Sequence, residues 1–111
     1  MALIYKICNV NLWEKAEAEG HFSGAEIDLR DGFIHFSTAE QLGDTLRLHF
    51  EGVENLLLLT IDGCRLDLKW EPARTGNLFP HLYDILPLSA VLRIHPLLLD
   101  DEGRHILPSQ L

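Results

Sequence analysis

The chain has 111 residues, 47% of them hydrophobic, and a formal net charge of −8 from 9 basic and 17 acidic side chains. That length and composition fit one folded domain, residues 1–111, and exclude a disordered chain. The acidic balance repels phosphate backbones and argues against general nucleic-acid binding, and the lack of a long apolar run argues against a membrane span.

Cys8 and Cys64 show neither metal-ligand nor disulfide-framework spacing, which predicts a reducing, cytoplasmic setting. The first expected element is a strand, Leu3-Ile4-Tyr5-Lys6-Ile7-Cys8, with Lys6 facing solvent. Asn11 and Glu14 have capping-box spacing and predict a helix over Leu12–Glu19, with Trp13 and Ala16 inward and Gly20 as its stop. Ser23 with Glu26 marks a short helical turn that ends before Gly32. Next, Asp31-Gly32-Phe33-Ile34-His35-Phe36-Ser37-Thr38 reads as a central strand covered on both sides. Phe33, His35 and Ser37 share one face, Ile34 and Phe36 the other.

Ser37-Thr38-Ala39-Glu40 has the pattern of a capping box, with Ser37 as N-cap of a helix from Thr38 to His49. Leu42, Leu46 and Phe50 form its buried stripe, and His49 sits where it can meet the carbonyl end. The free N–H groups of such a helix start suit an anion such as phosphate. Leu56-Leu57-Leu58-Leu59-Thr60-Ile61 is too short a run for a helix and reads as a buried strand. Cys64, just after it, is expected to pack. The alternation over Leu66–Glu71 predicts another strand, stopped by Pro72. Arg74 to Asn77 is a loop, and Phe79 to Asp84 places His81 and Tyr83 on one face if extended. Val91–Ile94 is the last long strand, with Pro96 marking an edge or bulge. Leu97 to Leu99 and Arg104 to Leu107 make a terminal hairpin, and His95 and His105 read as incidental. The order predicts an α+β fold of mixed or antiparallel sheets with two main helices.

The residues that carry chemistry fall at strand ends or in loops, where sites are grafted onto folds. They are Lys6, His35, Ser37, Thr38, Trp70, Glu71, Arg74, His81 and Tyr83. A carboxylate with a histidine and hydroxyls suits a positively charged, sugar-like transition state. Trp70 and Tyr83 suit a planar ring, and Arg74 or Lys6 suits phosphates. A serine hydrolase is a poor fit, since no G-x-S-x-G turn is present. No metal is expected: His35, His81 and Glu71 lack recognised ligand spacing.

Gly32-Phe33-Ile34-His35-Phe36-Ser37-Thr38, Trp70-Glu71-Pro72 and Phe79-Pro80-His81-Leu82-Tyr83 together resemble the motifs of the mostly bacterial domain-of-unknown-function family nine-five-two. That family is grouped by fold with ADP-ribosyltransferases, including the tRNA 2′-phosphotransferase type. The resemblance implies split, mostly antiparallel sheets and a pocket for NAD as substrate. Phe36-Ser37-Thr38 is similar to the strand ending in a hydroxyl residue. His35 is similar to the histidine of the phosphotransferase branch. Glu71 is the candidate catalytic glutamate, and Lys6 lies nearest the residue that grips ribose.

The leading expectation is therefore transfer or hydrolysis of an ADP-ribosyl group, with Glu71, His35 and Ser37 catalytic. Lys6, Thr38, Trp70, Arg74, His81 and Tyr83 would bind the nucleotide. The alternative is a non-catalytic module for a nucleotide-like metabolite, and a third reading is a structural domain with a satisfied polar core. His35, Ser37, Glu71, His81 and Arg74 are expected to converge on one cleft.

Overall fold

The computed structural model describes residues 2–109 and 111. Its frame is a four-stranded sheet in which β1 (Leu3–Asn9), β4 (Leu56–Asp62), β8 (Val91–Leu99) and β9 (His105–Ile106) lie side by side. The pairings are antiparallel. A second sheet has the order β3 (Ile34–His35), β6 (Leu78–Leu82), β5 (Lys69–Pro72), and β2 (His21–Phe22) pairs with β7 (Leu86–Pro87). Three helices accompany them: α1 (Val10–Glu19), α2 (Glu26–Asp31) and α3 (Leu42–His49).

The core lies on both faces of the main sheet. Ile4 and Cys8 of β1 join Leu59 and Ile61 of β4, with Trp13, Phe22, Ile34 and Phe36, in one cluster. Tyr5 and Ile7 join Leu58, Leu97, Leu42 and Leu46 in the other. Period-two alternation along β1 explains the split. It also corrects the expectation for Lys6: it shares a face with Ile4 and Cys8 and is only 5% exposed.

Further elements differ from the sequence reading. The strand around His35 is a short edge strand rather than a central one. It is tied to the main sheet by one bridge, in which Tyr5 N donates to Ser37 O at 2.8 Å and Ser37 N to Tyr5 O at 2.9 Å. The following helix starts at Leu42, not Thr38. Residues 39–41 form a turn in which Gln41, not Glu40, reaches back: its Oε1 accepts from Thr38 N at 3.0 Å. Ser37 caps nothing; its hydroxyl bonds the Thr45 hydroxyl at 3.1 Å.

The alternation at Leu66–Glu71 yields a strand only from Lys69 on, because Gly63–Arg65 forms a 3-10 turn capped by Asp62. Gly63 is required there: a Cβ would lie 2.9 Å from the Ala2 carbonyl oxygen. Cys64 is exposed rather than packed. The short turn after Ser23 is a true helix, α2, and the terminal hairpin forms with Leu98 opposite Ile106. His105 is not incidental, since its Nε2 bonds the Val53 carbonyl at 2.7 Å.

Candidate functional site

Two polar clusters meet where the sheets join. The first is centred on Asp28, the one buried residue of α2. Gly24, at φ +117°, leaves room for it; a Cβ there would lie 2.8 Å from the Asp28 Cβ. Asp28 Oδ2 accepts from Ala25 N at 2.7 Å and from Lys6 Nζ at 2.9 Å. Oδ1 accepts from Lys6 Nζ at 3.0 Å, His35 N at 3.1 Å and His35 Nδ1 at 2.7 Å. His35 Nε2 lies 3.0 Å from Asp31 Oδ2, so both ring nitrogens face carboxylates. Burial alone would push the Asp28 carboxyl up. The His35 and Lys6 bonds outweigh it and hold the pKa at about 2. Burial pushes the Lys6 ammonium down, against the pull of Asp28.

The second cluster follows from strand register. His35 stands opposite His81, and Glu71, opposite Phe79, is the diagonal neighbour of His81. His81 Nδ1 donates to Glu71 Oε1 at 2.9 Å, and the Tyr83 hydroxyl donates to the same oxygen at 2.6 Å. The Tyr83 and His81 bonds hold the Glu71 carboxyl below its ordinary range. Phe33 stacks on His81 with ring centroids 4.2 Å apart and touches the rings of His35 and Tyr83.

His81 Nε2 has no partner among the described residues. None of their buried side-chain polar atoms is left without a hydrogen bond. Nε2 therefore reaches solvent although its residue is 9% exposed.

A cleft of about 890 Å³ opens beside these clusters. Lys6, His35, Ser37, Thr38 and His81 line it. Glu71, bonded to both Tyr83 and His81, lies outside the lining, as does Tyr83, contrary to the expected convergence of Glu71 on the cleft. Trp70 points to the opposite face of the β3-β6-β5 sheet, beside Pro80, and is 47% exposed. Arg74 sits in the exposed turn between β5 and β6 and does not reach the cleft, contrary to expectation. Among the described residues, no group of three metal-ligating side chains is placed to hold a metal ion. Cys8 is a core residue whose thiol burial pushes up to about 11.

Sequence reading missed Asp28 altogether. Its signal was slight: an acidic residue in a short polar stretch between Gly24 and Gly32, with Lys6 as the cation lacking an assigned partner.

Residues 7–94 match the family model described as Protein of unknown function (DUF952). The chain belongs to this family. The DUF952 chain is 46% identical to protein CC0527 from Caulobacter crescentus, whose X-ray structure it matches with a TM-score of 0.90. The match covers 95% of this chain and 94% of that one. The solution NMR structure of CC0527 matches at a TM-score of 0.82, with 46% identity over 94% of this chain and 91% of that one. No curated protein matches the DUF952 chain. Among its described residues, no helix is long and apolar enough to cross a membrane.

Proposed function

We propose that this DUF952 domain binds a small, nucleoside-sized metabolite in the cleft, and that His81, backed by Glu71, handles the ligand's proton. The observation that carries this reading is the division of labour on the His81 ring. Nδ1 is committed to Glu71 at 2.9 Å, while Nε2 has no protein partner among the described residues. A carboxylate on one ring nitrogen fixes tautomer and orientation, so that the other can accept or return a proton. The Tyr83 bond stiffens the same carboxylate. Thr38, Thr75 and Asn77 add side-chain donors and acceptors to the lining that suit hydroxyl groups. The volume falls within the usual range for small-molecule sites.

A sharper form of this reading is transfer or hydrolysis of an ADP-ribosyl group from NAD or a related nucleotide. Supporting it are the family resemblance and the Glu71 carboxylate held against His81 at 2.9 Å. Glu71 would act through His81, orienting it toward the sugar, with His35 and Ser37 near the sugar hydroxyls. The alternative is a module that binds without turnover.

The test is an NMR titration of the labelled protein with adenosine and then NAD. Shifts centred on His81, Ser37 and Thr38 are expected, and their absence with both compounds defeats the reading. Nicotinamide release from NAD, abolished in Glu71→Gln while NAD-induced shifts persist, separates the enzyme from the binding module.

A further inference from the structure

Three polar side chains stand in a row across the main sheet, none with a hydrogen-bond or ion-pair partner among the described residues. Tyr5 of β1 is opposite Thr60 of β4, and Thr60 is opposite Arg93 of β8. Directly opposed residues share one face of a sheet. It is the face from which Tyr5, Ile7, Leu58 and Leu97 pack with Leu42 and Leu46 of α3. Beside the row β8 bulges: Ile61 meets Val91, so Leu92 is an extra residue and the strand twists more strongly there.

Tyr5 and Thr60 are only 2% and 7% exposed. Yet no fully buried side-chain oxygen among the described residues lacks a hydrogen bond, so both hydroxyls reach solvent at their tips. Tyr5 lines the cleft. Burial pushes its hydroxyl pKa up, and Arg93 pulls it down, ahead of the upward push of Glu40. The guanidinium therefore acts on the wall of the cleft. Asp62, next on this face of β4, is turned to its own cap, accepting from Cys64 N at 3.1 Å. The start of α3 has no side-chain cap and adds the positive end of a helix on this side of the sheet.

We propose that Tyr5, Thr60 and Arg93 form a phosphate subsite at the rim of the cleft, so that the ligand is a nucleotide with its phosphate here and its sugar toward Ser37 and His81. This deepens the small-molecule reading above and rests on it. The two ends adjoin, because Ser37 is paired with Tyr5 through the backbone. A guanidinium presents parallel N–H donors that match phosphate oxygens, and the two hydroxyls add donors beside it. Glu40, in the lining, limits the affinity by like-charge repulsion.

Calorimetric titration of the whole chain at low ionic strength compares adenosine, adenosine 5′-monophosphate and inorganic phosphate. The monophosphate is expected to bind at least about tenfold more tightly than adenosine. Arg93→Gln should abolish that preference. Tyr5→Phe, which keeps the ring in the core, should reduce it, and Glu40→Gln should enlarge it. Equal binding of adenosine and its monophosphate, or a preference that survives Arg93→Gln, overturns the phosphate subsite and leaves the cleft as a ligand site. Inorganic phosphate binding that depends on Arg93, with no NMR shift at His81 from either adenosine compound, keeps the subsite and defeats the nucleoside reading. Binding of none of the three defeats both.

Discussion

The Lys6 ammonium lies 2.9 Å from an Asp28 carboxylate oxygen, and the two side chains are 6% and 1% exposed. This pair joins β1 to α2 and, through the Asp28 bonds to His35, to β3. Two charges so deeply withdrawn from water are tolerable only together. Lys6→Met should therefore lower stability by about 3 kcal/mol, since it strands the Asp28 charge among fewer donors. Urea unfolding measures it, and a loss below about 1 kcal/mol shows that water or His35 replaces the ammonium.

The same carboxylate sets the acid limit of the fold. Its folded pKa of about 2 lies below the ordinary value of 3.8, so folding favours the charged form. Its contribution is fully present above about pH 4 and is lost as pH falls through about 2. Over that window the wild type should lose about 2 kcal/mol that Asp28→Asn does not lose. Unfolding free energies measured between pH 5 and pH 2 decide it; parallel curves for the two proteins contradict the assignment.

Ser37 has a different role from that of a helix cap. Its backbone bonds to Tyr5 survive substitution, so Ser37→Ala removes only the hydroxyl bond to Thr45. The expected loss is about 1 kcal/mol. Thr45→Val should cost a similar amount, and the double variant should cost clearly less than the two losses added together. Strict additivity in thermal unfolding would mean the two hydroxyls do not interact.

Tyr83→Phe tests the arrangement behind His81. The Tyr83 hydroxyl is the largest influence holding the Glu71 carboxyl down, ahead of His81. Without it the Glu71 titration should move upward, while the melting temperature changes little because Tyr83 is 52% exposed. Carbon-13 NMR of the glutamate carboxyls reads the shift directly. An unmoved titration shows that the phenol points elsewhere in solution.

Much of the frame was legible because its signals are local. The leucine run of β4 and the alternation in β1 each report burial on their own. The cap at Asn9 lay two residues before the Asn11 assigned to it, within the usual uncertainty of helix ends. The start of α3 was misread because Ser37 and Glu40 mimic a capping box, whereas pairing with Tyr5 holds Ser37 in a strand. The site was legible in its residue types, and strand register brings His35, His81 and Glu71 together. Arg74 and Trp70 stayed outside for reasons that only the hairpin between β5 and β6 reveals. Asp28 was hidden because its role depends on Lys6 and His35, which are distant or unpaired in sequence, and not on any period along α2.

The pairing of β1 with β4 has a consequence for how the chain is made. Asn9 meets Leu56 and Leu3 meets Asp62, so β1 waits during synthesis for about fifty more residues before its partner β4 emerges. β8 must follow before β4 is covered on its other edge. Such distant pairing folds slowly and leaves apolar strands uncovered in the meantime. Nascent chains arrested before Val91 should therefore be digested throughout by a protease. Chains released beyond Ile106 should become resistant in one step.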